Sequence, residues 1–178
     1  QALAAKHGPI SLIHFDAHSD TWEDEDGRID HGTMFFHAAK QGIVDVSRSI
    51  QLGMRTFNPG THGYEVRHAN WMHANGVHAT IAAIRERVGT HPCYVSFDVD
   101  FLDPAYAPGT GTPVVGGFST QDALRLIRGL AGLNVIGADV VEVSPPYDVG
   151  DITALAAASV AHELLAVIAS RYPDRSAR

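Results

Sequence analysis

Three stretches of the chain, PISLIHF (9–15), CYVSFDVDFLD (93–103) and NVIGADVVEV (134–143), are runs of β-branched and large apolar residues that give way to polar groups. Such runs predict short buried strands that deliver side chains at their carboxyl ends. SIQLGMR (49–55) predicts a further strand, with TFNPGTHG as its exit loop. Elsewhere the apolar period lengthens. A helix is expected around Met34 to Lys40, and VRHANWMHANGVHATIAAIRERVG predicts a short element, a turn near Asn75 and Gly76, and a helix from about His78 to Val88. In that last helix Ile81, Ile84 and Val88 recur at helical spacing. STQDALRLIRGLAG opens on a capping box, Ser119 with Asp122 three residues on, and TALAAASVAHELLAVIASRY predicts a long alanine-rich helix.

Strands alternating with helices, at spacings too long for hairpins, imply βαβ crossovers and a mainly parallel sheet in a three-layer α/β/α arrangement. In such a sheet the functional residues lie beyond the carboxyl ends of the strands. No repeat, low-complexity tract or linker divides the 178 residues, which suit one domain.

Composition narrows the class. Hydrophobic residues make up 45% and charged residues 19% of the chain, the balance of a soluble globular protein. A net charge of -7 argues against a general nucleic-acid binder and leaves room for a small cationic ligand. The single cysteine, Cys93, forms no internal disulfide and is expected as a buried thiol in CYVSF. No apolar segment is expected to span a membrane and QALAAKHG does not resemble a secretory signal, so the expected location is cytoplasmic. Gln1 stands where an initiator methionine is usual and a strand follows almost at once, which suggests a partial sequence.

The chemistry sits at the strand ends: Asp16, His18 and Asp20 after the first, Asp98, Asp100 and Asp103 around the second, Asp139 and Glu142 in the third. On an extended backbone residues two apart share a face, so Asp16 can join His18 and Asp98 can join Asp100. Converging carboxylates repel one another and lose hydration, a difficulty that two divalent cations remove. Shared carboxylates would bring the two metals close enough to lower the pKa of a common water or hydroxide. Oxygen-rich donors with a minority of imidazole suit manganese better than a thiolate zinc site, with zinc, iron and cobalt left open.

Other polar clusters read as structural. Glu23 to Asp26 lacks the spacing of a calcium loop. His68, His73 and His78, five apart, follow neither helix nor strand period, and His162 with Glu163 reads as a polar helix edge. APGTGTPVVGG lacks the Gly-Lys-Ser/Thr ending of a phosphate loop.

HFDAHSDT, SFDVDFLDPAYAPGTGTPVVGG and GADVVEVSPPYD together resemble the ureohydrolase family, which includes arginase and agmatinase, and DHGTMF (30–35) is closest to its agmatinases. The resemblance implies an arginase-like fold, two manganese ions, hydrolysis of a linear guanidino compound to an amine and urea, and a homo-oligomer, trimeric or hexameric. Position by position, it implies that Asp16 is a bridging ligand, His18 a ligand to one metal and Asp20 to the other. Asp98 matches the second bridge and Asp100 a further ligand on the His18 side. His31 matches a histidine that contacts substrate and shuttles protons, a role suited to a group titrating near neutrality. Glu142 matches the carboxylate that holds the guanidinium; Thr153, after the last loop, is expected at most to support the site and is not counted among its residues.

The family also has a ligand histidine in a glycine-rich motif ahead of the first strand, for which this chain has no counterpart; His7 lacks the glycine-rich context. The expectation is therefore the C-terminal part of one longer catalytic domain. Agmatine is the first expected substrate. Guanidinobutyrate or another guanidino acid, a single-metal deacetylase and a non-catalytic subunit are the alternatives.

Overall fold

The computed structural model describes residues 1–23 and 27–172. Apart from Glu23, the acidic cluster expected as a solvated loop lies outside the described residues. The helices are α1 (Ala2–His7), α2 (Met34–Lys40), α3 (Ala69–Val88), α4 (Thr120–Arg128) and α5 (Ile152–Ala169). The strands are β1 (Ser11–Phe15), β2 (Ile50–Met54), β3 (Glu65–His68), β4 (Cys93–Asp98) and β5 (Val135–Val141).

All five strands pair in parallel in the order β3-β2-β1-β4-β5. From β1 the chain builds outward through β2 to β3, then returns to the other side of β1 for β4 and β5. The sheet therefore reverses direction of growth between β1 and β4, the place where open α/β sheets part their loops into a crevice. Register does the rest. Phe15 pairs with Phe97, so Asp16 and Asp98 step off neighbouring strands at one level, and Val141 pairs with Asp98, so Glu142 follows beside them.

Side-chain alternation sorts the two faces. Ile13, Phe15, Ile50, Leu52, Val95 and Phe97 point into the larger core, closed by Met72 and Ile84 of α3, Leu126 and Ile127 of α4, and Val160 and Leu164 of α5. On the opposite face Leu12, Val44 and Tyr64 form a smaller cluster against Phe35 and Ala38. The two packed faces give the expected three-layer arrangement.

Local chemistry explains the departures from periodicity. Gly76, with φ 77° and ψ 177°, interrupts α3, so the expected turn survives as a break between two helical segments. At Gly53 an added Cβ would meet Phe101 at 2.5 Å and the Asp16 carbonyl at 2.9 Å, so only glycine lets β2 pass beneath the residues that follow β1. Ser119 Oγ accepts from the Asp122 backbone N–H at 3.1 Å and donates to its carboxylate at 2.8 Å, the expected cap of α4.

One expectation needs correcting. α5 is long and apolar enough, by length and composition, to cross a membrane. Here it packs against β5 and α4, burying Ala156, Ala157, Val160, Leu164 and Val167, while Leu155 and Leu165 remain exposed. Its apolar excess thus belongs partly to the core and partly to the surface.

Candidate metal centre

The strand geometry expected to carry alternate ligands ends just before the first ligand after β1 and on the first ligand of β4. β1 ends at Phe15 and β4 at Asp98, where the backbone enters the 3₁₀ turn Val99–Phe101. Convergence comes instead from two turns in which an aspartate caps the backbone two residues on. The Asp16 carboxylate accepts from the His18 N–H at 2.6 Å, and the Asp98 carboxylate accepts from the Asp100 N–H at 2.8 Å. Short aspartate side chains favour such local bonds over continued strand pairing.

The turns interlock. Asp100 Oδ1 accepts from the Ala17 N–H at 2.9 Å, and its Oδ2 lies 2.9 Å from His18 Nδ1, which also lies 3.4 Å from Asp16 Oδ1. Asp16, His18 and Asp100 offer three donor atoms within 4.8 Å of one another, as do His14, Asp16 and Asp20. Asp98 lies in the same cavity, 5% exposed. Asp16, His18, Asp20, His31, Asp98, Asp100 and Glu142 all line this one space of about 330 Å³, together with Trp22, Met34 and Thr112.

Electrostatics identify what the cavity suits. Burial, then the charges of Asp16, Asp100 and Glu142, push the Asp98 carboxyl up to about 10. Burial and the Asp16 charge push Asp20 up to about 7, and Asp100 is raised as well, chiefly by burial. His18 is raised to about 10 by its bonds to Asp100 and Asp16. Asp16 moves the other way. Burial alone would raise it, but His14 and His18 hold it well below the usual carboxylate range. A buried cluster that retains protons to relieve repulsion is a cluster suited to cations.

His31 reaches the cavity through a self-braced loop. Asp30 Oδ1 accepts from the Gly32 N–H at 3.0 Å, and Thr33 Oγ1 accepts from the Asp30 N–H at 2.9 Å. Trp22 N–H donates to the Gly32 carbonyl and Phe35 N–H to the Asp20 carbonyl, both at 3.0 Å, stitching this loop to the segment that carries Asp20. Asp20 and Glu142 have φ of 52° and 67°. For residues other than glycine that region is uncommon, and here two lining residues occupy it.

Two carboxylates grouped with the constellation in sequence lie outside the cavity lining. Asp139, inside β5, accepts from Ser96 Oγ at 2.8 Å and Tyr94 Oη at 3.0 Å. Asp103 accepts from the N–H groups of Ala105, Gly116 and Gly117, latching the loop after β4. Both are satisfied by structure. Thr153 Oγ1 accepts from the Gly109 N–H at 2.7 Å, tying α5 to the same loop behind the site.

Sequence reasoning missed two groups. His14, 1% exposed, contacts Asp16, and its position two residues ahead on the strand is the signal that could have revealed it. Arg55 donates to the carbonyls of Asp100 at 2.5 Å, Val114 at 2.8 Å, Gly53 at 3.1 Å and Leu102 at 3.3 Å. Nothing in the strand-end sequence SIQLGMR signals so many partners.

The arginase family model matches residues 1–167. The chain is 51% identical to an agmatinase of Chromobacterium violaceum over 172 residues, covering 96% of this chain and 53% of that protein. Among solved structures, a hypothetical agmatinase from Burkholderia thailandensis superposes with a TM-score of 0.93 at 54% identity, covering 96% of this chain and 54% of that one. The proclavaminate amidino hydrolase of Streptomyces clavuligerus gives 0.92 at 42% identity, covering 96% and 59%. The chain spans about half the length of the curated relatives it matches.

Proposed function

The chain belongs to the arginase family, and from that premise we propose that the whole protein hydrolyses agmatine to putrescine and urea as a cytoplasmic homo-oligomer. Residues 1–178 are taken as the C-terminal part of its single catalytic domain. The observation that carries this reading is one cavity lined by five carboxylates and two histidines, with no lysine or arginine among its described lining. Such a lining suits a substrate cationic at both ends. Among the described residues no lysine or arginine stands in that lining to pair with the carboxylate of a guanidino acid.

The donor set fits two divalent cations, and hard oxygen donors with a single ligating imidazole favour manganese. Asp16, His18, Asp20, Asp98 and Asp100 would hold the ions. Bound metals of this kind lower the pKa of water and so supply a nucleophile near neutral pH. The chain's own residues do the remaining work. Glu142, at the cavity edge beyond β5, pairs with the planar guanidinium through charge-assisted hydrogen bonds and presents its carbon to the metal side. His31, on the opposite loop, exchanges protons with solvent and delivers one to the departing amine, with Asp98 as the inner carrier.

The entry of both aspartate motifs into one cavity favours a two-metal centre over a single-metal deacetylase. The test is urea release by the full-length protein with added manganese, compared across agmatine, arginine and guanidinobutyrate. Urea from agmatine well above the other two is expected. No urea from agmatine, or a preference for guanidinobutyrate, would reject the substrate, and one bound metal per chain would reject the two-metal centre.

A further inference from the structure

His14 is the one buried histidine against the centre that the ligand set leaves unused. Its Nε2 lies 2.8 Å from Asp16 Oδ2, and it belongs to a group of donors, with Asp16 and Asp20, compact enough to hold an ion. Taken alone, that grouping makes His14 a candidate ligand. Its other nitrogen decides against this.

Nδ1 of His14 faces Nε2 of Gln51 at 3.2 Å, and the same Gln51 nitrogen lies 2.5 Å from the Ser19 carbonyl oxygen. A carbonyl only accepts, so the Gln51 atom facing it must be the amide nitrogen; the reversed amide would set two oxygens against each other. Oriented this way, the Gln51 amide donates one hydrogen to Ser19 and the other to His14 Nδ1. Nδ1 is thereby an acceptor, and in a neutral ring the proton belongs on Nε2, aimed at Asp16. An Nε2 that carries a proton has no lone pair for a metal. A proton on Nδ1 would point at the Gln51 amide hydrogens.

The geometry points to His14 as a positioning residue: through Nε2–H it fixes the Asp16 carboxylate that would help hold the metals, with its tautomer set by Gln51 and the Ser19 carbonyl. This inference rests on the metal-centre reading above. The arrangement is fully enclosed, Gln51 being 0% and His14 1% exposed. Phe35 packs edge-on against the imidazole with ring centroids 4.5 Å apart, which restrains its rotation. Hydrogen bonds of this kind orient ligating carboxylates and raise metal affinity.

The test uses the full-length protein with manganese(II) alone as probe. Glutamine and asparagine at position 14 differ in where they put an amide nitrogen: His14→Gln places it near the site of Nε2, His14→Asn near that of Nδ1. Loss of the Asp16 bond in His14→Asn should weaken manganese binding by about 10- to 100-fold, while His14→Gln stays within about threefold of the unmodified protein. Equal losses in both variants would leave only a packing role and overturn the inference, as would unchanged affinity in His14→Asn. Should either variant fail to fold, nitrogen-15 NMR of the metal-free unmodified protein decides, since a protonated Nδ1 beside a bare Nε2 would contradict the assignment. An unmodified protein that binds no manganese would instead remove the metal centre itself, and this inference with it.

Discussion

Glu142 has the left-handed backbone that an L-residue adopts at a cost of about 1–2 kcal/mol. The bend turns its carboxylate off the end of β5 and into the cavity shared with Asp98. Glu142→Gln keeps the length and the backbone demand but removes the charge. If paired charged hydrogen bonds hold the guanidinium, kcat/KM for agmatine should fall by roughly 10- to 100-fold, the equivalent of about 1.5–3 kcal/mol. The Tm should hardly move, because this side chain is exposed. A variant with kcat/KM within about twofold of the parent would remove Glu142 from substrate binding. At this scale much of the cavity was legible: aspartates that end apolar strands have few other reasons to be there. Asp139 misled because a partner strand hid its two hydroxyl donors. Gln51 was invisible for a related reason, since its role exists only once β2 lies beside β1.

Among the elements, the loop after β4 depends on a residue from a different strand. Arg55, just beyond β2, is bonded to Asp100 and Leu102 in the 3₁₀ turn and to Val114 in the glycine-rich loop. A planar fork of donors reaches carbonyls in several directions, which an ammonium cannot reproduce. Arg55→Ala leaves those carbonyls without their donor and should cost about 3 kcal/mol, lowering Tm by several degrees, with manganese affinity falling as the Asp98–Asp100 turn loosens. Arg55→Lys should recover less than half of the loss in a thermal melt. Recovery to the parent Tm would show that charge alone matters there. Long apolar runs made β1, β4 and β5 readable, and the glycine at position 76 marked the break in α3. β3, reading EVRH, has four residues and none buried, so no periodic signal existed for it. α5 gave a clear helix but a poor estimate of its burial, because alanine and leucine occupy both of its faces.

For the molecule as a whole, strand order was beyond the reach of local pattern, yet it is the order β2-β1-β4-β5 that crowds the acidic ends together. That crowding ties stability to pH. In the metal-free protein Asp20 and Asp98 titrate at about 7 and about 10 against an ordinary value of 3.8. Between those limits the folded state holds protons that the unfolded chain has released, so stability declines as pH rises. His18, raised from 6.5 to about 10, adds a slope of the same sign: its contribution is full below 6.5 and lost as pH climbs toward 10. Asp16, depressed, acts oppositely, but only below its ordinary value, where acid removes its contribution. Calorimetry of the chelator-treated full-length protein should therefore show Tm falling from pH 5 to pH 9. Saturating manganese replaces those protons with ions, so the gap in Tm between loaded and stripped protein should widen as pH rises. Asp98→Asn carries no proton to lose and should flatten the stripped-protein slope. A stripped protein whose Tm holds constant or rises across that range would mean that the carboxylates are not crowded in solution, and the electrostatic case for the metal centre would fall with it.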